Sequence, residues 1–206
     1  RGRRFFDEAG PYARIIREFQ HFDTDTLEYS NVPAFVIVDS IYRMNYPLAQ
    51  YEPKMKLPNW VTTADTLREL AEQLGIDPEG LEQTVADFNR YAEEGKDPEW
   101  HRGDSAFDLQ TGGDASRGLA NPCLGPIIEP PFHGAPMWPG VLGTKGGLRI
   151  NPNGQVVNVW GDVIEGLYAI GNCTGSIMGA GYPGGGATIG SGMTFSFIAA
   201  NHMRGN

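Results

Sequence analysis

The residues with the clearest chemical potential lie between positions 166 and 206, where Tyr182 stands in a run of glycines and no Asp or Glu occurs. A glycine-rich loop of this kind can cradle a cofactor, its backbone N–H groups serving as fixed hydrogen-bond donors. Glycines complete that kind of site, because a residue without Cβ lets a ligand approach the backbone. The missing carboxylates leave nothing to repel an anionic or electron-rich ligand. Metal chemistry is not indicated: Cys123 and Cys173 show no CxxC or His spacing, which also argues against a disulfide framework. His101 and Asp104 could form an acid/base pair, but their surroundings read as a solvated loop.

Those donors need a frame. Leu167-Tyr168-Ala169-Ile170 predicts a short strand, the glycine-rich loop follows, and the small residues after it can be helical to about His202. Strand, loop and helix would point free N–H groups and the positive helix end at a ligand. A glycine-rich helix packed closely on a sheet would leave the same pattern. Gly179-Ala-Gly181-Tyr-Pro-Gly184 satisfies G-x-G-x-x-G, yet its strand ends at Ile170, Pro183 sits inside the turn and no acidic residue follows for a ribose. A Rossmann turn is therefore rejected.

At 206 residues and net charge −9, the chain can hold one large domain or two small ones. Its acidity, with no basic cluster beyond Arg1, Arg3 and Arg4, argues against nucleic acid as a partner. No apolar run approaches the ~20 residues that cross a bilayer. Cysteine usage fits a cytoplasmic setting, with peripheral membrane association left open. Arg rather than Met stands first, so we expect a piece of a longer polypeptide.

Ile15, Ile16 and Phe19 predict a helical face within residues 13–22, and Pro33-Ala-Phe-Val-Ile-Val-Asp39 predicts a buried strand. Residues 40–60, with Tyr42, Tyr46 and Tyr51, read as an irregular, aromatic-rich connection of the kind that carries function. Thr66 and Glu69 predict a capping box for a helix that turns Leu67, Leu70, Ala71 and Leu74 inward and ends at Gly75. Asp77-Pro78 opens a second helix burying Leu81, Val85 and Phe88. Residues 95–131 lack periodicity. From Pro139 a glycine-punctuated, strand-like stretch and an Asn153-Gly154 turn predict a small β unit, with a domain boundary near Gly140.

At Tyr182-Pro-Gly-Gly-Gly-Ala-Thr-Ile-Gly-Ser-Gly-Met-Thr-Phe the chain resembles the 3-ketosteroid Δ1-dehydrogenases, within the broader fumarate reductase and succinate dehydrogenase flavoprotein class. The family pattern there is YPG-x-GATIG-x-AMTFG. Gly166-Leu-Tyr-Ala-Ile-Gly-Asn172, Gly2-Arg-Arg-Phe-Phe-Asp-Glu8, Arg102-Gly-Asp-Ser-Ala-Phe-Asp108, Asn121-Pro-Cys-Leu-Gly-Pro126 and Gly143-Thr-Lys-Gly-Gly147 resemble further family motifs, in order. Departures are Gly185, Ser191 and Gly192 where the family has alanine or proline, and His133 where it often has tyrosine.

The resemblance implies an α+β catalytic domain inserted into a split α/β FAD-binding domain. Residues 1–6 would end an FAD-domain strand, 7–142 form the catalytic domain, and 143–206 return to the FAD domain, whose N-terminal half is absent. It implies FAD as cofactor and Δ1-desaturation of a 3-ketosteroid or similar cyclic ketone, the proton going to a tyrosine and the hydride to flavin N5. The ketone oxygen would be held by the Tyr182 hydroxyl and the Gly186 N–H. Tyr46 would be the base, with Tyr42 the alternative. FAD would lie on Gly166, Gly171, Asn172, Gly185, Ala187, Thr188 and Ile189. Partners would be the missing half, as the same longer chain or a separate subunit, and a quinone or dye-like electron acceptor. A fumarate reductase-type enzyme reducing an enoate, or a non-catalytic companion subunit completing the fold, are the alternatives.

Overall fold

In the computed structural model, which describes all residues except Leu142, Lys145, Ala180 and Asn206, order begins in short pieces. Helix α1 (Tyr12–Glu18) precedes two-residue strands β1 (Phe22–Asp23) and β2 (Glu28–Tyr29), paired antiparallel. The continuous apolar run then forms β3 (Ala34–Val38), buried at both ends. Asp39 stops it: one carboxylate oxygen accepts from Tyr42 N at 2.8 Å and caps α2 (Ser40–Asn45). The other oxygen accepts from the N–H groups of Ile128 and Glu129 at 3.1 and 3.2 Å. This helix corrects the irregular connection expected from residue 40 onward. Its sequence lacks an apolar stripe, and Met44 is exposed, so the cap and tertiary bonds hold it rather than periodicity.

The first unit, Arg1–Pro139, is completed by β4 (Thr62–Ala64), α3 (Leu67–Leu74), α4 (Pro78–Glu94), α5 (Ala106–Gly112) and β5 (Phe132–Met137). An antiparallel sheet runs β3-β5-β4, with Val38 and Thr63 both opposite His133. Leu70 and Ala71 of α3 are fully buried, and Ala71, Leu81 and Val85 share a cluster with Ile37 of β3. The Thr66 side chain accepts from Glu69 N at 3.1 Å, and Gly75 ends α3 at φ 68°. The reciprocal capping box occurs instead at α5, between Ser105 and Asp108. That helix was hidden in the aperiodic 95–131 stretch.

The second unit, Gly140–Asn206, contains the antiparallel pair β6 (Gln155–Val157) and β7 (Val163–Tyr168), followed by α6 (Ala187–Met203). Asn153-Gly154 makes the expected turn, with Gly154 at φ 79°. The stretch before it forms only isolated bridges, Leu148 beside Thr174 and Ile150 opposite Val156. Close backbone approaches hold α6. Gly171 and Gly192 face each other, and a Cβ on either would just reach van der Waals contact with the other's Cα, at 3.8 and 3.7 Å. The Tyr168 hydroxyl meets His202 Nδ1 at 2.7 Å. No helix among the described residues is long and apolar enough to cross a membrane.

Candidate functional site

Tyr182 lines a small cleft, open to solvent, together with Gly171, Asn172, Thr174, Ala187 and Thr188. Two pieces of backbone build it. The turn at Gly171–Cys173 leaves β7 with Gly171 at φ 60°, and the Thr174 hydroxyl closes it by donating to Gly171 O at 2.8 Å. The second piece is the start of α6, which brings Ala187 and Thr188 to the cleft; behind the turn, Leu148 N donates to Cys173 O at 3.0 Å, and Gly147 lies so near that a Cβ there would sit 2.3 Å from that oxygen. Only glycine fits at 147. Four of the seven expected FAD contacts, Gly171, Asn172, Ala187 and Thr188, border this cleft. Gly166 lies in β7 at φ 76°, while Gly185 and Ile189 are exposed.

Gly186 is the N-cap of α6, at φ 87°, with no side-chain cap. No acceptor among the described residues takes its N–H; the next one, on Ala187, bonds Gly184 O at 3.3 Å. A Cβ added at Gly185 or Gly186 would meet nothing within 4 Å, so the space before this helix start is open. A helix of this length with uncapped donors presents a positive end. Open backbone, free donors and no carboxylate in the segment fit an electron-rich ring system whose reduced form is anionic. Lys145 of the expected Gly143–Gly147 motif and Ala180 of the rejected Rossmann motif lie outside the described residues.

Within the first unit, Tyr42 and Tyr46 both sit at α2, their rings 5.1 Å apart. Burial pushes the Tyr42 phenol above its ordinary value, with Arg102 and Arg43 pulling the other way. Tyr46 closes the helix: its N–H donates to Tyr42 O at 2.7 Å, and its carbonyl accepts from Arg43 Nη1 at 2.9 Å. Its hydroxyl donates to Asp114 Oδ2. Burial and then this carboxylate raise the Tyr46 phenol, partly offset by Arg117. Sequence reasoning missed Arg43 and Asp114. The buried Arg43 guanidinium also donates to the carbonyls of Tyr51, Glu52 and Met55, staking down the loop after the helix.

The motifs near residues 2–8, 102–108 and 121–126 converge on one polar cluster, buried at Asp97 and open to solvent at Glu8. Arg4 donates to Glu8 at 2.7 Å and to Asp97 at 2.8 Å, and Arg102 reaches Glu8 at 3.1 Å. Burial opposes the Arg4 charge, but its two carboxylate partners outweigh that and hold the guanidinium above its ordinary value. Burial likewise works against the Asp97 and Glu8 charges, and Arg4 overcomes it, lowering both. Asn121 donates to the carbonyls of Gly95 and Arg102 at 3.4 and 3.2 Å. These motifs are scaffolding: they position the segment that carries Asp114, whose N–H donates to Pro122 O at 3.0 Å.

A mixed helix-and-sheet chain with a glycine cradle before an uncapped helix has the features of a cofactor-binding fold. The FAD binding domain family matches residues 1–189, and the chain belongs to that family. It is 40% identical to the 3-oxosteroid 1-dehydrogenase of Mycobacterium tuberculosis over 98% of this chain and 37% of that protein. It is 37% identical to the 4-oxocyclohexanecarboxylate 2-dehydrogenase of Sinomonas cyclohexanicum over 99% of this chain and 35% of that protein. Among solved structures, it is similar to the 3-ketosteroid delta1-dehydrogenase from Sterolibacterium denitrificans in complex with 1,4-androstadiene-3,17-dione, at TM-score 0.88 and 40% identity. That match covers 98% of this chain and 37% of the other. The chain thus spans little more than a third of the proteins it matches.

Proposed function

We propose that the chain forms the catalytic domain and the returning part of the FAD domain of a dehydrogenase that desaturates a ring ketone, a 3-ketosteroid or a similar flat cyclic ketone. Its named relatives, a 3-oxo 1-dehydrogenase and a 4-oxo 2-dehydrogenase, share a locant two carbons from a ring carbonyl, which supports a common demand: a donor pair at that oxygen. The observation that carries the reading is the helix start at Gly186, open and uncapped, four residues after Tyr182 in one loop.

The Tyr182 hydroxyl and the Gly186 N–H would hold the ketone oxygen, acidifying the adjacent C–H. Tyr46 would take the proton released there, its position fixed by α2. Gly171, Asn172, Ala187 and Thr188 would hold FAD, with Gly166, Gly185 and Ile189 nearby, and bound FAD supplies the hydride acceptor. The rest of the FAD domain comes from the two-thirds of the relatives' length that this chain does not span, and reoxidation needs a quinone or dye-like acceptor. The test is anaerobic turnover of a 3-keto-4-ene steroid by the chain joined to the complementary part and loaded with FAD, with a dye acceptor. Appearance of the conjugated dienone is expected; reduction of an enoate with no action on ring ketones would overturn the reading.

A further inference from the structure

Tyr46 is held at three points, and the third is chemical. Its backbone N–H and carbonyl are bound to Tyr42 and Arg43, while the hydroxyl hydrogen is committed to Asp114 Oδ2. A phenol oxygen has one hydrogen to give. With that hydrogen committed, Tyr46 can only accept from any further partner. Asp114 is prepared in turn: its Oδ1 accepts from Ser116 N at 3.0 Å and Ser116 Oγ at 2.6 Å, leaving Oδ2 for the tyrosine. The groups facing the pair are the Arg117 charge, which acts on both members, the Tyr42 ring and the Arg43 guanidinium at the Tyr46 carbonyl.

We propose that Asp114 is the proton acceptor behind Tyr46: as the Tyr46 oxygen takes a proton from substrate carbon, its own hydroxyl proton passes to Asp114 Oδ2. The inference rests on the reading of Tyr46 as the base. In the step, the substrate C–H bond breaks, its electron pair stays with the substrate, and the proton forms a new O–H on Tyr46. The old Tyr46 O–H breaks and an O–H forms on Asp114, so the carboxylate becomes neutral as the substrate gains negative charge. Asp114 is only half-buried and returns the proton to water. Tyr46 therefore works as a neutral phenol. The Ser116 bonds, then the Tyr46 bond, hold Asp114 below the usual carboxylate range, so it is ionised at neutral pH and holds the relayed proton only briefly before water takes it.

Two measurements test this. In the 206-residue chain, the Tyr46 ionisation is isolated as the difference in tyrosinate absorbance between the wild type and Tyr46→Phe; Asp114→Asn should move it downward, and an unmoved titration would overturn the pairing. In the FAD-loaded enzyme, wild-type kcat should be flat through neutrality. Asp114→Asn should lose about 100-fold at pH 7 with KM unchanged, regain activity as pH rises into the phenol range, and be rescued in part by Asp114→Glu. A uniform loss at every pH would mark Asp114 as structural and sink the relay. If Tyr46→Phe abolishes turnover while Asp114→Asn keeps the wild-type profile, only the relay fails; if Tyr46→Phe keeps turnover, the base assignment itself fails. Should Asp114→Asn not fold, Ser116→Ala keeps the carboxylate and must move the acid limb of kcat upward, and an unmoved limb counts against the relay.

Discussion

Tyr182 and Asp97 show two ways in which one side chain matters. If Tyr182 donates to the ketone, Tyr182→Phe removes one of two donors where charge develops, and kcat should fall about 100-fold or more with little change in KM, measured by steady-state turnover. Asp97 is buried and contacts no proposed site residue. Asp97→Asn leaves Arg4 with a poorer partner and should cost roughly 3 kcal/mol, read from the urea midpoint. Because Asp97 and Glu8 are lowered in the fold, their contribution is complete above the ordinary carboxylate value near ~4 and drains away as pH falls below it. Asp7, raised by burial, runs the other way. The variant should therefore unfold with a shallower acid limb. Neither bond was legible in the chain: Arg4 and Asp97 are 93 positions apart, and Tyr46 and Asp114 are 68. The loop and helix start that carry Tyr182 and Gly186 were legible because they are contiguous in the chain.

Elements were legible where their signals are local. Helices α3 and α4 carry apolar residues at helical spacing between a cap and a glycine, and β3 is a continuous apolar run ending in Val36-Ile37-Val38. Helices α2 and α5 were not, because α2 rests on Asp39 and Arg43 and α5 is a single capped stretch of seven residues. Strand β5 supplies a pH prediction. His133 sits at mid-sheet, bonded to Thr63 at 2.9 Å, and burial, then the Arg43 charge, lowers it. A group lowered in the fold contributes stability above its unfolded value, near ~6.5, and loses it as pH falls below. Melting temperature should therefore decline just below about pH 6.5, and His133→Asn should flatten that decline. In the second unit, Gly147→Ala must displace the Cys173 backbone and should lower stability by about 2 kcal/mol, measured by thermal melting, as overpacking does.

At the scale of the whole molecule, α6 is the informative element. It is apolar on average and has no distinct polar face, yet only Ala199 is buried, and Ile189, Met193 and Phe197 form an exposed stripe at intervals of four. A helix with no polar face that exposes such a stripe is suited to being covered, in keeping with a chain that spans 37% of its relatives. We expect the 206-residue chain alone to bind FAD weakly and the complementary part to restore tight binding. Stoichiometric binding by the chain alone in a fluorescence titration would contradict this.

The Arg4 cluster has a last consequence, for what happens when the chain is cut. Residues 1–9 are pinned to distant parts of the first unit by Arg4 on Asp97, by the Gly2 carbonyl accepting from Thr84 at 2.6 Å, and by the Ala9 carbonyl accepting from Thr111 at 3.2 Å. The tip at Leu27 is 72% exposed and has φ 58°, the sort of place a protease nicks first. Cleavage there would leave two peptides that travel as one through gel filtration at neutral pH. They should part company only in acid, when Asp97 and Glu8 take up protons and the clasp between them lets go.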